Sequence, residues 1–499
     1  MGSLENFLMG LMVALQPQNL FYCFIGCLAG TMVGVLPGIG PTAAVALLLP
    51  TTFKLDPISA IIMLSGIAYG SAYGGSTTSI LVNVPGEACS VVTCLDGYQM
   101  ARHGRAGPAL GISALGSFIA GTFAVIGVMF LAPTLARAAL AFGSPEYFSL
   151  MFMSMMIVTY LVRGSMPKAL LMVGVGLVLG MVGMDPISGR DRFVYEWLAL
   201  KDGIGVISVA IGMFGVTEIL ETIGSSVEKD IFDKKIKGYW PTRQDWKDSW
   251  APIGRGTVLG FFLGIFPGLS PLIATFLSYG IEKRLSKHPE RFGTGVIEAV
   301  AAPEACNNAA ATAGYVPLFS LGIPSNALNA VLLGALMIYG LQPGPLLIKS
   351  NPTFFWGIVA SMYIGNVMLV VLNLPLIPLW VKVLRIPYTL LSVLILIFCF
   401  LGAYSINNDI NNVIITFAFG IFGYLLKKCG FERPPLILAF VLGPLIEKAF
   451  RQSMIVSDGS FTIFLTRPIS AFFILVAFGV LITGSLKKRS FAGQIEAEK

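Results

Sequence analysis

The chain of 499 residues is 55% hydrophobic, has only 12% charged residues and carries a formal net charge of +7. Because soluble domains contain about 25% charged residues, this composition excludes an ordinary soluble protein and indicates a polytopic membrane protein surrounded by lipid. The excess of Lys and Arg does not indicate nucleic-acid binding, since these residues lie in short loops and at the C-terminus, as in membrane proteins.

The sequence contains no motif that predicts an enzyme. It has no G-x-x-x-x-G-K-[ST] phosphate-binding loop, and only two histidines are available to act as a base for a nucleophile. The seven cysteines show no paired metal-ligand spacing. We therefore expect neither enzymatic activity nor a cofactor.

The first long apolar segment, residues 21–50, is broken at its centre by glycine and proline. Gly30 and Gly34 form a GxxxG face, which allows two membrane helices to pack closely. Gly38 and Gly40, with a proline on either side, then end the helix and leave free carbonyls on one side and free amides on the other. We expect this break to lie at membrane depth.

The next apolar segment, residues 58–75, leads into small and hydroxyl residues and then into a second break, NVPGEA at 83–88. Glu87 and Asp96 lie beside the basic loop that follows, where they can be explained as helix caps. Plainer segments, each long enough to span about 30 Å of hydrocarbon, predict scaffold helices near residues 109–133, 146–162, 167–184 and 203–223.

The second half of the chain restates the motifs of the first. GFFLGIFPGLSP at 260–271 matches GTMVGVLPGIGP at 30–41 with an offset of 230 residues, and GIPSNA at 322–327 parallels NVPGEA with an offset of 239. Two motifs in the same order at nearly the same spacing indicate an internal duplication. The loops after the two glycine-proline motifs differ in Lys and Arg content, which favours opposite orientations of the two copies.

We therefore predict an all-α polytopic integral membrane protein of about ten to twelve helical elements, with broken or re-entrant segments arranged in an inverted repeat. The Lys-containing C-terminus is expected in the cytoplasm. The predicted divisions are a first transmembrane half at 1–224, a polar cytoplasmic linker at 225–253, a second transmembrane half at 254–486 and a cytoplasmic tail at 487–499.

The stretch at 291–345 carries Glu304, Asn307 and Asn308 among small apolar residues. A polar group in hydrocarbon costs roughly 2–7 kcal/mol unless it is hydrogen-bonded, so this stretch must be buried in protein or line a watery cavity. Two interpretations remain open, packing between helices and a site for a ligand and an ion. Glu304 itself is either a cation ligand or a structural hydrogen-bond acceptor.

Repeated broken helices are typical of secondary transporters, because half-helix N-termini suit an anionic substrate and unwound carbonyls suit Na⁺. The candidate substrate-binding residues are Gly38, Gly40, Thr42, Ser76, Thr77, Gly268, Ser270, Pro324, Ser325 and Asn326. The candidate Na⁺ ligands are Asn83, Glu304, Asn307 and Asn308. Sodium is expected as a coupling ion and not as a resident cofactor.

Three signatures resemble the large membrane subunit of the tripartite tricarboxylate transporters, the TctA type: GxxxGxLPGIGPTAAVALLLP, TCLDGYxMARxGxAGPAL and ERFGTGVIEAVAAPEACNNAAATAGYVPLFSLGIP. The resemblance implies cation-coupled uptake of a carboxylate across the bacterial inner membrane. It also implies two partners, a small membrane subunit of about four helices and a periplasmic solute-binding protein. The chain departs from the family at Ser325-Asn326, so the small carboxylate substrate need not be citrate.

Two other classes of function remain as alternatives. A channel-like or structural membrane protein would need no alternating access, and a channel would show flux without saturation. A membrane enzyme would need a convergent catalytic set, which the sequence lacks.

Overall fold

The computed structural model describes residues 3–36, 39–161, 165–185, 187–223, 238, 240–266, 271–384, 388–406 and 408–486. Within these ranges the secondary structure is almost entirely helical. The only sheet in the described part is an antiparallel pair, β1 at Gly183–Met184 and β2 at Asp191–Arg192. The prediction of an all-α polytopic membrane protein is confirmed.

The first half of the chain contains α1 Ser3–Ala14, α2 Pro17–Gly34, α3 Pro41–Leu48, α4 Pro57–Val82, α5 Val91–Arg102, α6 Ala106–Ala139, α7 Ser144–Leu161, α8 Met166–Gly180, α9 Val206–Ala210, a π-helical segment Ile211–Val216 and α10 Thr217–Ile223. Short 3-10 turns lie at Leu49–Thr52, Ala88–Ser90 and Leu198–Leu200.

The second half contains α11 Arg243–Ile265, α12 Pro271–Leu285, a 3-10 turn Pro289–Arg291, α13 Glu298–Ala313, α14 Tyr315–Leu321, α15 Ala327–Ile338, α16 Pro345–Ser350, α17 Pro352–Asn373, α18 Ile377–Leu384, α19 Tyr388–Ser405, α20 Ile410–Lys428, α21 Pro434–Val456, α22 Ile463–Thr466 and α23 Pro468–Leu486. Because α11 begins at Arg243, helix extends into the stretch predicted as a linker. Residues 225–237 and 239 of that linker, and the tail at 487–499, lie outside the described residues.

By length and apolar composition, four described helices can each cross a membrane alone: α4, α6, α17 and α20. A fifth span is possible if α1 and α2, which meet at a bend of 75°, count as one. The most apolar window of α4 is 94% buried within the protein, whereas that of α20 is only 28% buried. Helix α4 is therefore the central helix, and most of the apolar window of α20 is not covered by the rest of the described chain.

Glycines bring α2 against α4 in the first half. A Cβ added at Gly30 would lie 2.3 Å from the carbonyl oxygen of Ile67, and one at Gly34 would lie 2.1 Å from that of Ser71. Only a residue without a side chain permits this approach of two backbones. The GxxxG face recognised in the sequence is thus the contact face of α2.

The same contact recurs in the second half between α11 and α13. A Cβ added at Gly260 would lie 2.2 Å from the carbonyl oxygen of Cys306, and one at Gly264 would lie 2.3 Å from that of Ala310. The glycines of the two pairs are 230 residues apart, and their partners are 239 residues apart, as in the sequence motifs. The duplication therefore extends to the packing of the helices.

Contacts between α4 and the α13–α14 segment are reciprocal. The Tyr315 hydroxyl donates to Ser65 Oγ at 3.1 Å, and Ser76 Oγ donates to Glu304 Oε2 at 2.6 Å. At an offset of 239 residues, Ser65 corresponds to Glu304 and Ser76 corresponds to Tyr315. Each hydrogen-bonded pair is therefore the counterpart of the other, with the two halves of the chain exchanged. A two-fold relation between the copies produces such an exchange. The order of the partners also shows that the helices run antiparallel, the relation that an inverted repeat requires.

Glycines also bring together helices outside this core. A Cβ added at Gly176 of α8 would lie 2.3 Å from the carbonyl oxygen of Leu436 in α21. A Cβ added at Gly212 would lie 2.4 Å from that of Thr416 in α20. Each contact therefore joins a helix from the first half of the chain to a helix from the second half.

Candidate functional site

Glu304 lies on α13 where that helix crosses α4, and its side chain is surrounded by hydroxyl groups. Ser76 Oγ of α4 donates to Glu304 Oε2 at 2.6 Å and Ser113 Oγ of α6 donates to it at 3.0 Å. The hydroxyl of Thr93, on α5, donates to the other carboxylate oxygen. Helix α13 has the sequence EAVAAPEACNNAAATA, whose small residues allow these helices to approach closely.

In the described part of the chain, no cationic side chain lies beside the Glu304 carboxylate. Glu304 is 1% exposed, and within the described residues no Lys or Arg forms an ion pair with it. An ionised carboxylate in such surroundings is costly unless a proton or a cation compensates its charge. The described residues also contain no group of three or more His, Cys, Asp and Glu residues that could hold a metal ion. Hydroxyl, amide and carboxylate oxygens suit a hard cation instead.

The two asparagines that follow Glu304 reach different partners. Asn308 Nδ2 donates to Ser117 Oγ of α6 at 2.7 Å, and Asn307 Nδ2 donates to Glu87 Oε1 at 2.7 Å. Glu87 occupies the N-cap position of the 3-10 turn at Ala88–Ser90, and its backbone amide donates to Ser90 Oγ at 3.2 Å. The α13 helix of the second half is thereby connected to the second break of the first half.

The first break lies next to this cluster. Gly40 is the N-cap of α3, and a Cβ added there would lie 3.6 Å from Glu87 Cβ. Thr42 is in the first turn of α3 and is partly exposed. Thr77 is buried, one residue beyond Ser76 on α4. The structure thus brings Gly40, Ser76 and Thr77 into the neighbourhood of the two buried carboxylates.

Asn83 lies apart from Glu304. It ends α4 in the left-handed conformation, with φ of 57°, and its side chain is exposed. Among the described residues no recorded hydrogen bond joins it to the cluster, so its conformation accounts for asparagine there without an ion. Its participation as a Na⁺ ligand remains a prediction.

The break at residues 322–327 forms a separate cluster of polar side chains. Asn326 is the N-cap of α15 and accepts a hydrogen bond from Asn329 N at 2.9 Å, while Asn329 Nδ2 donates to Ser325 Oγ at 2.8 Å. Pro324 and Ser325 are buried beside them. The other candidates, Gly38, Gly268 and Ser270, lie outside the described residues, so their predicted roles have no structural counterpart here.

Sequence reasoning missed the part that α5 and α6 play in the site. Ser113 and Ser117 lie in a segment interpreted as plain scaffold, and Thr93 lies in a loop-flanking motif. Single hydroxyls are common in membrane helices, where they usually bond to their own backbone, so a serine or threonine by itself does not indicate a site. The repeated SxxxS spacing of the two serines on one face of α6 is the only signal present.

A model of the tripartite tricarboxylate transporter TctA family matches residues 20–438. The chain belongs to this family. Membership of this family makes the chain a membrane subunit of a transporter that works with other subunits. Because the family is one of transporters, membership also points away from an enzyme. The match covers both halves, including every described residue of the Glu304 cluster.

Two relatives come from Agrobacterium vitis. An uncharacterized 52.8 kDa protein in the TAR-I ttuC' 3'region is 49% identical over 486 residues, which cover 97% of each chain. An uncharacterized protein in the TAR-II ttuC' 3'region is 52% identical over 212 residues, which cover 42% of this chain and 88% of the relative. No solved structure matches the chain.

Proposed function

We propose that the chain is the permease subunit of a binding-protein-dependent secondary transporter in the bacterial inner membrane. It imports a di- or tricarboxylate, or a similar organic acid, by symport with a cation, which we take to be Na⁺. Its partners are a small membrane subunit of about four helices and a periplasmic solute-binding protein. Family membership supports the tripartite assembly.

Glu304 is the observation that carries the cation-coupling part of the proposal. A buried carboxylate without a cationic neighbour has a charge that a transported cation can compensate. It lies where the two repeats cross, so occupancy of the site changes the electrostatics between the parts that alternating access must move. Its three hydroxyl donors hold the carboxylate in one orientation, ready for the ion.

The substrate needs positive potential, and the broken helices offer it. The N-termini of α3 and α15 begin at breaks, where the first backbone amides of a helix have no intrahelical acceptor. Asn326 and Ser325 add side-chain amide and hydroxyl groups at the start of α15. We place one carboxylate of the substrate there, with the bound cation offsetting part of its charge.

Uptake of labelled carboxylates into membrane vesicles tests the proposal. The vesicles would contain this chain with the neighbouring small subunit and binding protein, with or without a Na⁺ gradient. We expect saturable, Na⁺-dependent uptake, and at least about tenfold lower uptake in Glu304→Gln, because a lost coupling energy of about 1.4 kcal/mol gives that factor. Glu298→Gln is the matched control, since Glu298 is on the same helix but only partly buried.

Three results would contradict parts of the proposal. Unchanged Na⁺-dependent uptake in Glu304→Gln would return this carboxylate to a structural role. Uptake that does not saturate would favour the channel-like alternative. Unaffected uptake in Asn326→Ala and Asn308→Ala would return both asparagines to helix packing and leave the transport function in place.

A further inference from the structure

A small cavity lies beside Ser113 of α6. It is lined by Tyr73 and Thr77 of α4, Ser113 of α6 and Asn373 at the end of α17, together with three apolar side chains. It leaves about 10 Å³ for the centre of a water-sized sphere, which is room for one small particle. All four polar residues are buried.

Asn373 points to what the particle is. Its Nδ2 donates to the carbonyl oxygen of Leu369 at 2.9 Å. Because a carbonyl can only accept, the amide NH₂ must face Leu369, and this fixes the orientation of the side chain. The remaining atom, Asn373 Oδ1, is buried and has no hydrogen-bond donor. A buried oxygen without a partner is unfavourable, so a ligand in the cavity is expected to satisfy it.

The protons of two other lining residues are already committed. Ser113 Oγ donates its proton to Glu304 Oε2 at 3.0 Å. The Tyr73 hydroxyl donates to Asn366 Oδ1 at 3.5 Å, which is an acceptor because Asn366 Nδ2 donates to Phe118 O and Thr122 Oγ1. These side chains therefore have only oxygen lone pairs left to offer.

A water molecule needs donors as well as acceptors, and of the four polar residues only Thr77 retains an uncommitted hydroxyl proton. A cation needs acceptors alone. Ser113 lines the cavity and donates a hydrogen bond to the Glu304 carboxylate, so the negative charge lies directly behind Ser113. Oxygen lone pairs with a nearby carboxylate match a small hard cation better than they match water.

We propose that this cavity binds a dehydrated monovalent cation of the size of Na⁺, with Asn373, Thr77, Ser113 and Tyr73 as oxygen ligands and Glu304 as the counter-charge. The site deepens the proposed function and rests on it for its role in transport. It adds α17, from outside the stretch at 291–345, to the ion site. The end of α17 and the centre of α4 come together around the ion, so binding ties a helix of the second half to one of the first.

Binding of ²²Na⁺ to the purified full chain, without its partner subunits, tests the site. Asn373→Leu keeps most of the side-chain volume and removes the oxygen, and we expect at least about tenfold weaker Na⁺ binding. Asn373→Asp keeps an oxygen at that position and should retain binding. Thr77→Val, which replaces a hydroxyl by a methyl group, provides a second variant and should also weaken binding.

Ser361→Ala is the matched control. Ser361 is buried on the same helix, α17, and its hydroxyl donates to its own helix at Ile358 O. It lies 12 residues before Asn373, about 18 Å along the helix, so its loss should leave Na⁺ binding unchanged.

The outcomes separate this site from the transport function. Full-strength Na⁺ binding in both Asn373→Leu and Thr77→Val overturns the site, as does an absence of Na⁺ binding to the unaltered chain, which would leave water as the occupant. Na⁺ binding and Na⁺-dependent carboxylate uptake that both persist unchanged in Asn373→Leu and Thr77→Val remove the site and leave the proposed function standing. Na⁺ binding that is lost in the variants, together with no uptake of any carboxylate by the unaltered complex, keeps the site and removes the proposed function.

Discussion

Glu304 shows how neutral groups hold a buried carboxylate in a membrane protein. The sequence identified Glu304 and Ser76 because polar residues stand out in apolar segments. It left open whether the carboxylate is a cation ligand or a structural acceptor. The structure supplies the hydroxyl donors, two of which, Thr93 and Ser113, come from helices that the sequence did not assign to the site. Each is a single residue whose partner is far away in the sequence, so only the packing of α5 and α6 reveals it.

Asp96 is another buried carboxylate, and it has a different role. It is fully buried and accepts hydrogen bonds from the backbone amides of Gly293 at 2.9 Å, Gly295 at 2.8 Å and Val296 at 3.0 Å, and from the Tyr279 hydroxyl at 3.0 Å. The sequence interpretation as a helix cap is wrong in its detail, because the backbone amides belong to the loop before α13 and the hydroxyl belongs to α12. Asp96 therefore fixes the start of α13 relative to α5.

We expect Asp96→Asn to lower the free energy of unfolding by about 3 kcal/mol or more. The asparagine side chain has the same shape as aspartate, but it places either an NH₂ group or a neutral oxygen against the buried backbone amides. These donors then lose their charged acceptor. Chemical unfolding in detergent micelles measures the change.

Asp248→Asn is the control, since Asp248 is partly exposed and accepts from Gln244 Nε2 at 2.7 Å within one helix. Its effect should stay within about 0.5 kcal/mol. Equal effects of the two substitutions would show that Asp96 does not act as a clamp.

At the scale of elements, glycine decides which helix faces touch. In α11, Gly260 meets the backbone of α13, whereas a Cβ added at Gly254 would have no atom within 4 Å. Helix packing therefore requires glycine at position 260 of α11 but not at position 254 of the same helix. A GxxxG pattern in the sequence predicts the first kind of position but cannot name the partner helix.

We expect Gly260→Ala to destabilise the protein by about 1–3 kcal/mol or to prevent its folding, because the methyl group would overlap the carbonyl of Cys306. Gly254→Ala should be neutral or stabilising by up to about 1 kcal/mol, since alanine favours a helix. Thermal unfolding of the two purified variants compares them directly. A milder effect at Gly260 than at Gly254 would contradict the packing of α11 on α13.

Helices α4 and α14 end in the same left-handed backbone conformation, but for different local reasons. Asn83 and Gly322 both have positive φ, 57° and 71°. At Gly322 a Cβ would lie 2.5 Å from the carbonyl oxygen of Pro343, so glycine is required. Asn83 is exposed, and asparagine tolerates the left-handed region. The equivalence of the two positions was visible in the sequence motifs, whereas the reason for each residue was not.

At the scale of the whole molecule, an ion-pair network joins the two halves of the chain. Asp185, in the hairpin after α8, accepts from Arg451 Nη1 of α21 at 2.9 Å and pairs with Arg192 at 2.8 Å. Hydrogen bonds from the Ser188 hydroxyl and the Ile187 amide, with the Arg451 hydrogen bond and the Arg192 charge, lower the pKa of Asp185 from its ordinary value. Asp185 thus remains ionised through the physiological pH range.

A carboxyl whose pKa is lower in the folded state than in the unfolded state stabilises the protein above its unfolded pKa, about 3.9 for aspartate, and loses that contribution as pH falls through its folded pKa. We therefore expect Asp185→Asn to destabilise the protein at pH 7 and the difference from the unaltered chain to shrink below about pH 4. Unfolding midpoints measured from pH 3 to pH 7 test this. Asp191→Asn, at a more exposed ion pair with Lys201, should show a smaller and flatter difference, and matching pH profiles would contradict the assignment to Asp185.

The sequence by itself determined the class of the protein, its duplication and the location of its breaks. Hydrophobic composition, glycine and proline are local properties, and they act through backbone geometry and lipid solvation wherever they occur. The sequence also pointed to Glu304, Ser76 and the asparagines, because a polar group in an apolar segment must be satisfied somewhere. The tertiary structure alone decided the partners. Ser113 and Asp96 form hydrogen bonds with residues about 190 or more positions away in the sequence. Asn373 is left with one oxygen that has no hydrogen-bond partner. How the helices cross determines both results. Such crossings depend on shape complementarity between distant segments, which no local pattern encodes.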